Sequence, residues 1–226
     1  MRKWLVPAIA VCMLAAVSAC APNTVAKKDA FPLMYQEKPT SILVLPPINE
    51  TTAADAKEYY STTLAEPLSY MGYYVFPIEV VTEMMKHEGA YETETLINVP
   101  PQKFKEFFGA DAVLFVKITK WDTAYYVIGG HVAVGVDFVL KSTTTGAELW
   151  KYDGVLQVPT GGGGGGGGLV GLVVHVAITA IKTAAADYIP VAQRANAMVI
   201  STMPTGRYHP MHGQDQEVQI LPKQQK

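Results

Sequence analysis

Ser41-Ile42-Leu43-Val44-Leu45-Pro46-Pro47 decides how this chain is read. Ile42 to Leu45 are apolar without alternation, and two prolines stop the run. A strand with one face in water alternates apolar and polar residues. An unbroken apolar run of this length marks a strand covered on both faces, the position that helices flanking a sheet create. Asn49 to Thr52 offer caps for a helix reaching Tyr70, with Ala56, Tyr60, Leu64 and Leu68 as its buried stripe and Pro67 as a kink. Gly72 ends it, and Tyr73 to Phe76 form a second strand closed by Pro77. Ile78 to His87 read as another helix, with Val81, Met84 and Met85 turned inward.

The pattern then changes. Pro100-Pro101 open a short helix carrying Phe104, Phe107 and Phe108, and Gly109-Ala110-Asp111 turns it into an apolar strand over Ala112 to Ile118. Val132, Val134, Val136, Phe138 and Leu140 alternate strictly, as a strand exposed on one face does. Thr143-Thr144-Thr145-Gly146 makes a turn, and Glu148 to Tyr152 the return strand of a hairpin. Alternating strand and helix followed by a hairpin predicts an α/β fold: a mixed β-sheet packed with helices, completed by C-terminal helices.

The two ends read differently from this centre. Arg2 and Lys3 precede an uncharged apolar run from Leu5 to Val17, and Val17-Ser18-Ala19-Cys20 closes it. A charged start, an apolar middle and a small-residue exit make residues 1–19 a secretory signal, too short to span a membrane. A cysteine directly after the small residues is the pattern of a bacterial lipobox, so Cys20 is the expected site of lipidation. One acyl chain holds a protein only marginally, whereas the several that a lipidated N-terminal cysteine carries hold it durably. Ala21, rather than aspartate, follows the cysteine, which points to the outer membrane. The expected location is lipid-anchored there, on the periplasmic face, with outer-membrane lipid as the first partner.

Residues 20–39 mix proline, lysine and polar residues without periodicity and read as a tether. The main domain is expected over 40–204. Within it, Gly161 to Gly168 is an unbroken run of eight glycines, read as a linker over 161–168 ahead of C-terminal helices over 169–204. Leu169 to Ala186 is the first of these. It is the most apolar part of the mature chain, open to burial on the sheet, to a partner or second copy, or to membrane contact. Tyr188 to Met203 is the second, with Asp187 as cap. Residues 205–226 read as a loosely ordered polar tail.

Composition excludes several functions. With Arg2 and Lys3 removed, the mature chain keeps 16 Lys and Arg against 20 Asp and Glu, about −4, which gives nucleic acid no basic face. Cys12 leaves with the signal and Cys20 is spent on lipid, so no disulfide is available. The glycine run lacks the Gly-Lys-Ser/Thr of a phosphate loop. His209 and His212 flank Pro210 with only Asp215 nearby, a poor metal set. Ser61 and Ser69 have no paired histidine, and Glu92, Glu94 and Glu106 read as solvated acids. No catalytic, metal or cofactor residue is assigned, and the chain reads as a non-enzyme. Two aromatic groups, Tyr59-Tyr60 with Tyr70, Tyr73 and Tyr74, and Trp121 with Tyr125 and Tyr126, read first as packing and second as binding surface.

Three segments in order carry a resemblance: Ile42-Leu43-Val44-Leu45-Pro46-Pro47-Ile48-Asn49, Leu68-Ser69-Tyr70-Met71-Gly72-Tyr73-Tyr74-Val75-Phe76-Pro77, and Phe108-Gly109-Ala110-Asp111-Ala112-Val113-Leu114-Phe115-Val116-Lys117-Ile118. Together with the Thr144 to Trp150 hairpin they resemble the α/β domain of the TolB N-terminal region, the CsgG curli-secretion lipoproteins and the LpoB-type activators of peptidoglycan synthases. Gly206-Arg207-Tyr208-His209-Pro210 resembles the GNA-type, meningococcal antigen-like lipoproteins. The resemblance implies a TolB N-terminal-like fold and a scaffold or accessory role in envelope transport or assembly, beside other envelope lipoproteins or copies of itself. The alternative it implies is a component of an outer-membrane transport or secretion passage related to CsgG-like lipoproteins.

Overall fold

A computed structural model describes residues 24–54, 56–90, 92–121, 131–159 and 189–221. Cys20, the glycine run and the apolar segment 169–186 lie outside the described residues, as do Tyr125 and Tyr126. The elements in chain order are β1 (Val25–Ala26), α1 (Lys27–Ala30), α2 (Pro32–Glu37), β2 (Ser41–Val44), β3 (Ile48–Asn49), α3 (Ala56–Ser61), α4 (Ala65–Tyr70) and β4 (Tyr74–Val75). There follow α5 (Ile78–His87), a 3-10 turn (Thr93–Leu96), α6 (Pro101–Phe108), β5 (Ala112–Trp121), β6 (His131–Ser142), β7 (Glu148–Pro159), α7 (Ile189–Ile200) and β8 (Gln219–Ile220).

The main sheet runs β4-β2-β5-β6-β7, with β3 also pairing β5. Its first part is parallel, β2 lying beside both β4 and β5. Its second is antiparallel, β5 with β6 and β6 with β7. The fold is therefore α/β with a mixed sheet packed against helices. β2 separates two cores, as its unbroken apolar run requires. Ile42 and Val44 join the larger one, with Tyr60, Leu64 and Leu68 of the α3–α4 region and Val191, Ala195 and Val199 of α7. Leu43 and Leu45 join the smaller, with Val81 and Met85 of α5 and Phe104 of α6.

Several elements depart from the expected ones. The helix expected up to Tyr70 is two short helices, because Pro67 has no N–H to donate and occupies the first turn of α4. Ahead of them, the Asn49 side chain accepts from the Thr51 N–H at 3.0 Å and donates to the Ala53 carbonyl at 2.7 Å, holding a turn where a helix cap was expected. Met84 is 39% exposed, not inward, since α5 buries only the narrow stripe of Ile78, Val81 and Met85. Phe107 is exposed too. The first hairpin strand keeps nearly its expected ends, at His131 and Ser142, while the return strand runs well past Tyr152 to Pro159. A bulge at Thr119 shifts the register between Ile118 and Lys120, opposite Gly135, where a Cβ would stand 2.7 Å from Lys120 Cβ.

The largest differences lie at the two ends. The described part of the expected tether, from residue 24 to 39, forms β1, α1 and α2 and enters the core. Met34 is buried there, Phe31 packs on Trp150 with ring centroids 6.5 Å apart, and the Thr145 hydroxyl donates to Glu37 at 2.8 Å. The tail expected to be loose is seated through residue 221. Its β8 pairs antiparallel with β1, Val25 opposite Ile220 and Ala26 opposite Gln219. Neither end shows periodicity because each is held by long-range pairing, not by an amphipathic face of its own.

Candidate functional site

The junction of the two chain ends holds the most concentrated polar chemistry among the described residues. It is built on α1, which places Lys27 beneath the end of α7. The Lys27 ammonium donates to the Met203 carbonyl at 2.7 Å and the Ser201 carbonyl at 3.0 Å, and lies 3.4 Å from Asp215 Oδ2. The side chains of Lys27 and Asp215 are only 5% and 7% exposed. Asp215 also accepts from the Thr205 N–H at 2.8 Å and from the Tyr35 hydroxyl at 3.2 Å. Nearby, the Tyr73 hydroxyl donates to the Pro204 carbonyl at 2.6 Å.

Burial is the dominant influence on these groups. It lowers the pKa of Lys27, an effect that the Asp215 charge and hydrogen bond partly offset. It raises the phenols of Tyr35 and Tyr73, and the Asp215 charge pushes both the same way. The constellation thus has one cation, one carboxylate and two phenols, each turned toward a backbone or side-chain partner of the same chain. Its chemistry is that of a clasp.

Two glycines tighten it. Gly72, at φ +85°, and Gly206 approach so closely that a Cβ on Gly206 would meet the Gly72 oxygen at 2.4 Å. The Gly206 N–H donates to the Met71 carbonyl at 2.8 Å and the Tyr208 N–H to Gly72 at 3.0 Å. The Gly206-Arg207-Tyr208-His209-Pro210 motif is thereby accounted for as a backbone dock on the α4–β4 turn.

The other residues singled out in the sequence are dispersed. His209 Nδ1 accepts from the Met211 N–H at 3.0 Å, and His212 Nδ1 lies 3.0 Å from the Thr205 carbonyl. Asp215 faces Lys27 instead of these histidines. No group of three or more His, Cys, Asp or Glu stands in a metal-holding arrangement among the described residues. The Ser61 and Ser69 hydroxyls donate to carbonyls of their own helices. Glu92 pairs with Lys57 and Glu106 with Lys103 at the surface. The first aromatic group divides: Tyr60 and Tyr73 are buried, while Tyr70 and Tyr74 are exposed. Trp121 packs edge-on against Tyr60, centroids 5.9 Å apart. Among the described residues no helix is long and apolar enough to cross a membrane.

Sequence reasoning missed Lys27 and Tyr35, and weighed Asp215 only beside the histidines. The one trace of the junction is a short apolar Val25-Ala26 and the Val218, Ile220 and Leu221 group inside otherwise polar ends.

A family model described as "GNA1162-like: Putative lipoprotein GNA1162-like" matches residues 31–208. Over 176 residues the chain is 33% identical to "Putative lipoprotein NMB1124/NMB1162" of Neisseria meningitidis serogroup B, covering 77% of this chain and 81% of the relative. Among solved structures it is similar to lipoprotein GNA1162 from Neisseria meningitidis, with 34% identity, a TM-score of 0.49, and coverage of 54% of this chain and 85% of that one. It is also similar to the LpoB C-terminal domain from Salmonella enterica, with 16% identity, a TM-score of 0.35, and coverage of 58% and 96%.

Proposed function

This chain belongs to the GNA1162-like family of lipoproteins, and we propose that it is an outer-membrane lipoprotein, held by acylated Cys20 and serving as a non-enzymatic scaffold or accessory subunit in envelope transport or assembly. The observation that carries the reading is the seating of the chain immediately after the lipobox. Val25, five residues beyond Cys20, is already paired with Ile220. The concentrated polar groups are spent on fastening the chain to itself. What is left for a partner is apolar surface: Tyr74 on β4, with its ring 5.2 Å from that of Phe76, and Val80 and Met84 on α5, all exposed except the half-buried Phe76.

Changing Cys20→Ser tests the anchor. The variant is expected as uncleaved precursor or soluble periplasmic protein, while the wild type stays in carbonate-washed outer membranes. Retention of the variant there at the wild-type level would overturn the anchor. Affinity isolation from detergent-solubilised envelopes tests the scaffold role. A chain recovered only as a monomer, with no companion in stoichiometric amount, would remove it.

A further inference from the structure

We infer that the β1–β8 ribbon, with Val218 and Leu221 at its flank, rests directly against the lipid surface that the acyl chains of Cys20 enter. This rests on the acylation of Cys20 proposed above and adds to it an orientation and a contact surface.

The argument is one of length. Val25 is fixed in the domain by its pairing with Ile220, and Ala26 by its pairing with Gln219. The Lys27 N–H donates to the Val218 carbonyl at 3.0 Å and the Lys28 N–H to the Gln216 carbonyl at 3.1 Å, so the seating continues into α1. Cys20 stands only five residues before Val25, a distance that even a fully extended chain spans by at most about 18 Å. The headgroup layer on each side of a bilayer takes up roughly 6 Å of that reach. What remains, roughly 12 Å, is about the diameter of one helix with its side chains. No other layer of the domain fits between the ribbon and the membrane.

The surface suits that position. Four of the eleven large apolar side chains left exposed among the described residues belong to the seventeen-residue segment 205–221: Tyr208, Met211, Val218 and Leu221. Leu221 follows Ile220 directly, and Val218 carries the carbonyl that Lys27 holds. The charges beside them, Lys28 and Glu217, are paired with each other. Isolated apolar side chains beside a lipid anchor add to membrane attachment by the area they bury.

The full chain is produced with its signal, purified acylated, and placed in vesicles of phosphatidylethanolamine and phosphatidylglycerol. The mature protein has no thiol other than the acylated one, so Leu221→Cys takes a single environment-sensitive fluorophore. Brominated lipids are expected to quench that label at least twofold more than they quench the same label on a soluble form that begins at Ala21, and so carries neither Cys12 nor Cys20, mixed with the vesicles. Ten Gly and Ser residues inserted between Asn23 and Thr24 are expected to reduce the quenching by half or more, because the leash no longer holds the ribbon down. Intact-mass measurement separates the two layers of the argument. A protein without acyl chains overturns the anchoring reading itself. An acylated protein whose label is quenched no more than in the soluble form leaves the anchor standing and overturns the contact.

Discussion

At the centre of the sheet, Ile42, Val44, Leu114 and Phe138 are apolar side chains with no exposure at all. At the junction of the chain ends, an ammonium, a carboxylate and the Tyr73 phenol are almost as deeply enclosed, with the half-buried Tyr35 phenol beside them. The first region is held by the non-directional removal of carbon from water, and its neighbours can shift slightly to fill a loss. The second is held by directed bonds between charged and polar groups that have given up their hydration. Losing a methylene from the centre leaves a gap, whereas losing one partner at the junction leaves a bare charge.

The sharpest way to break this contrast is Asp215→Ala. It strands Lys27 in a buried site, together with the Tyr35 hydroxyl and the Thr205 N–H that Asp215 accepted from. Loss of one member of a buried ion pair costs about 3–5 kcal/mol, and urea unfolding of the soluble domain reads it. The double variant Lys27→Met with Asp215→Leu is expected to recover at least half of the loss, since no bare charge remains. If the double variant is as unstable as the single, hydrogen bonding to the carbonyls, not charge, holds the junction.

Titration sharpens the contrast at a second level. Burial raises the phenols of Tyr60 and Tyr73, and those of the less enclosed Tyr35 and Tyr152, above their ordinary value of 10. Their contribution is fully present below pH 10. Above it the unfolded chain ionises and the folded one does not, so stability is lost as pH rises. Lys27 runs the other way: its lowered pKa brings a gain as pH rises toward its ordinary 10.5, one group against four. Urea midpoints between pH 9.5 and 11 are expected to fall steeply. Constant midpoints across that range would show the phenols to be open to solvent.

The smallest effect expected is that of Tyr60→Phe. The Tyr60 hydroxyl is buried and has no hydrogen-bond partner among the described residues. Removing it spares a desolvated group at little cost in packing, so stability is expected to stay level or rise by about 1 kcal/mol or less. A loss above about 1 kcal/mol would reveal a partner for that oxygen. The same variant is expected to lessen the alkaline slope without abolishing it, since Tyr73, Tyr35 and Tyr152 remain.

The same contrast explains what could be read in advance. Ile42 to Leu45, the α5 pattern from Ile78 and the alternation of Val134, Val136, Phe138 and Leu140 each report their surroundings within a few residues. Burial imposes a period on the residues themselves. The mixed α/β fold follows from those patterns. The two-helix break, at residues 62–64 just ahead of Pro67, was legible as a kink, but the turn chemistry of Asn49 was read as a cap, since the same side chain serves both. Lys27 and Asp215 pair across 188 residues. No window along the sequence contains both, and each alone is an ordinary solvated charge, so the tether and the loose tail were the natural readings of their segments. The bulge at Thr119 was hidden for a related reason, because it is defined by the register against Gly135 on another strand.

The separation of Lys27 from Asp215 also sets an order of events. Synthesis delivers α1 long before the segment that accepts it, and the intervening chain has local work to complete first: the α4–β4 turn, the parallel pairs about β2 and the β6–β7 hairpin. A contact between opposite ends of the chain closes the longest loop in the molecule, and such contacts are rewarded only after that entropy has been spent. The junction is therefore the last part to set. A chain cut short before Asp215 would hold its early strands and leave its first helices unmoored. In this protein the closing of the junction reports that the chain as far as Ile220 has arrived.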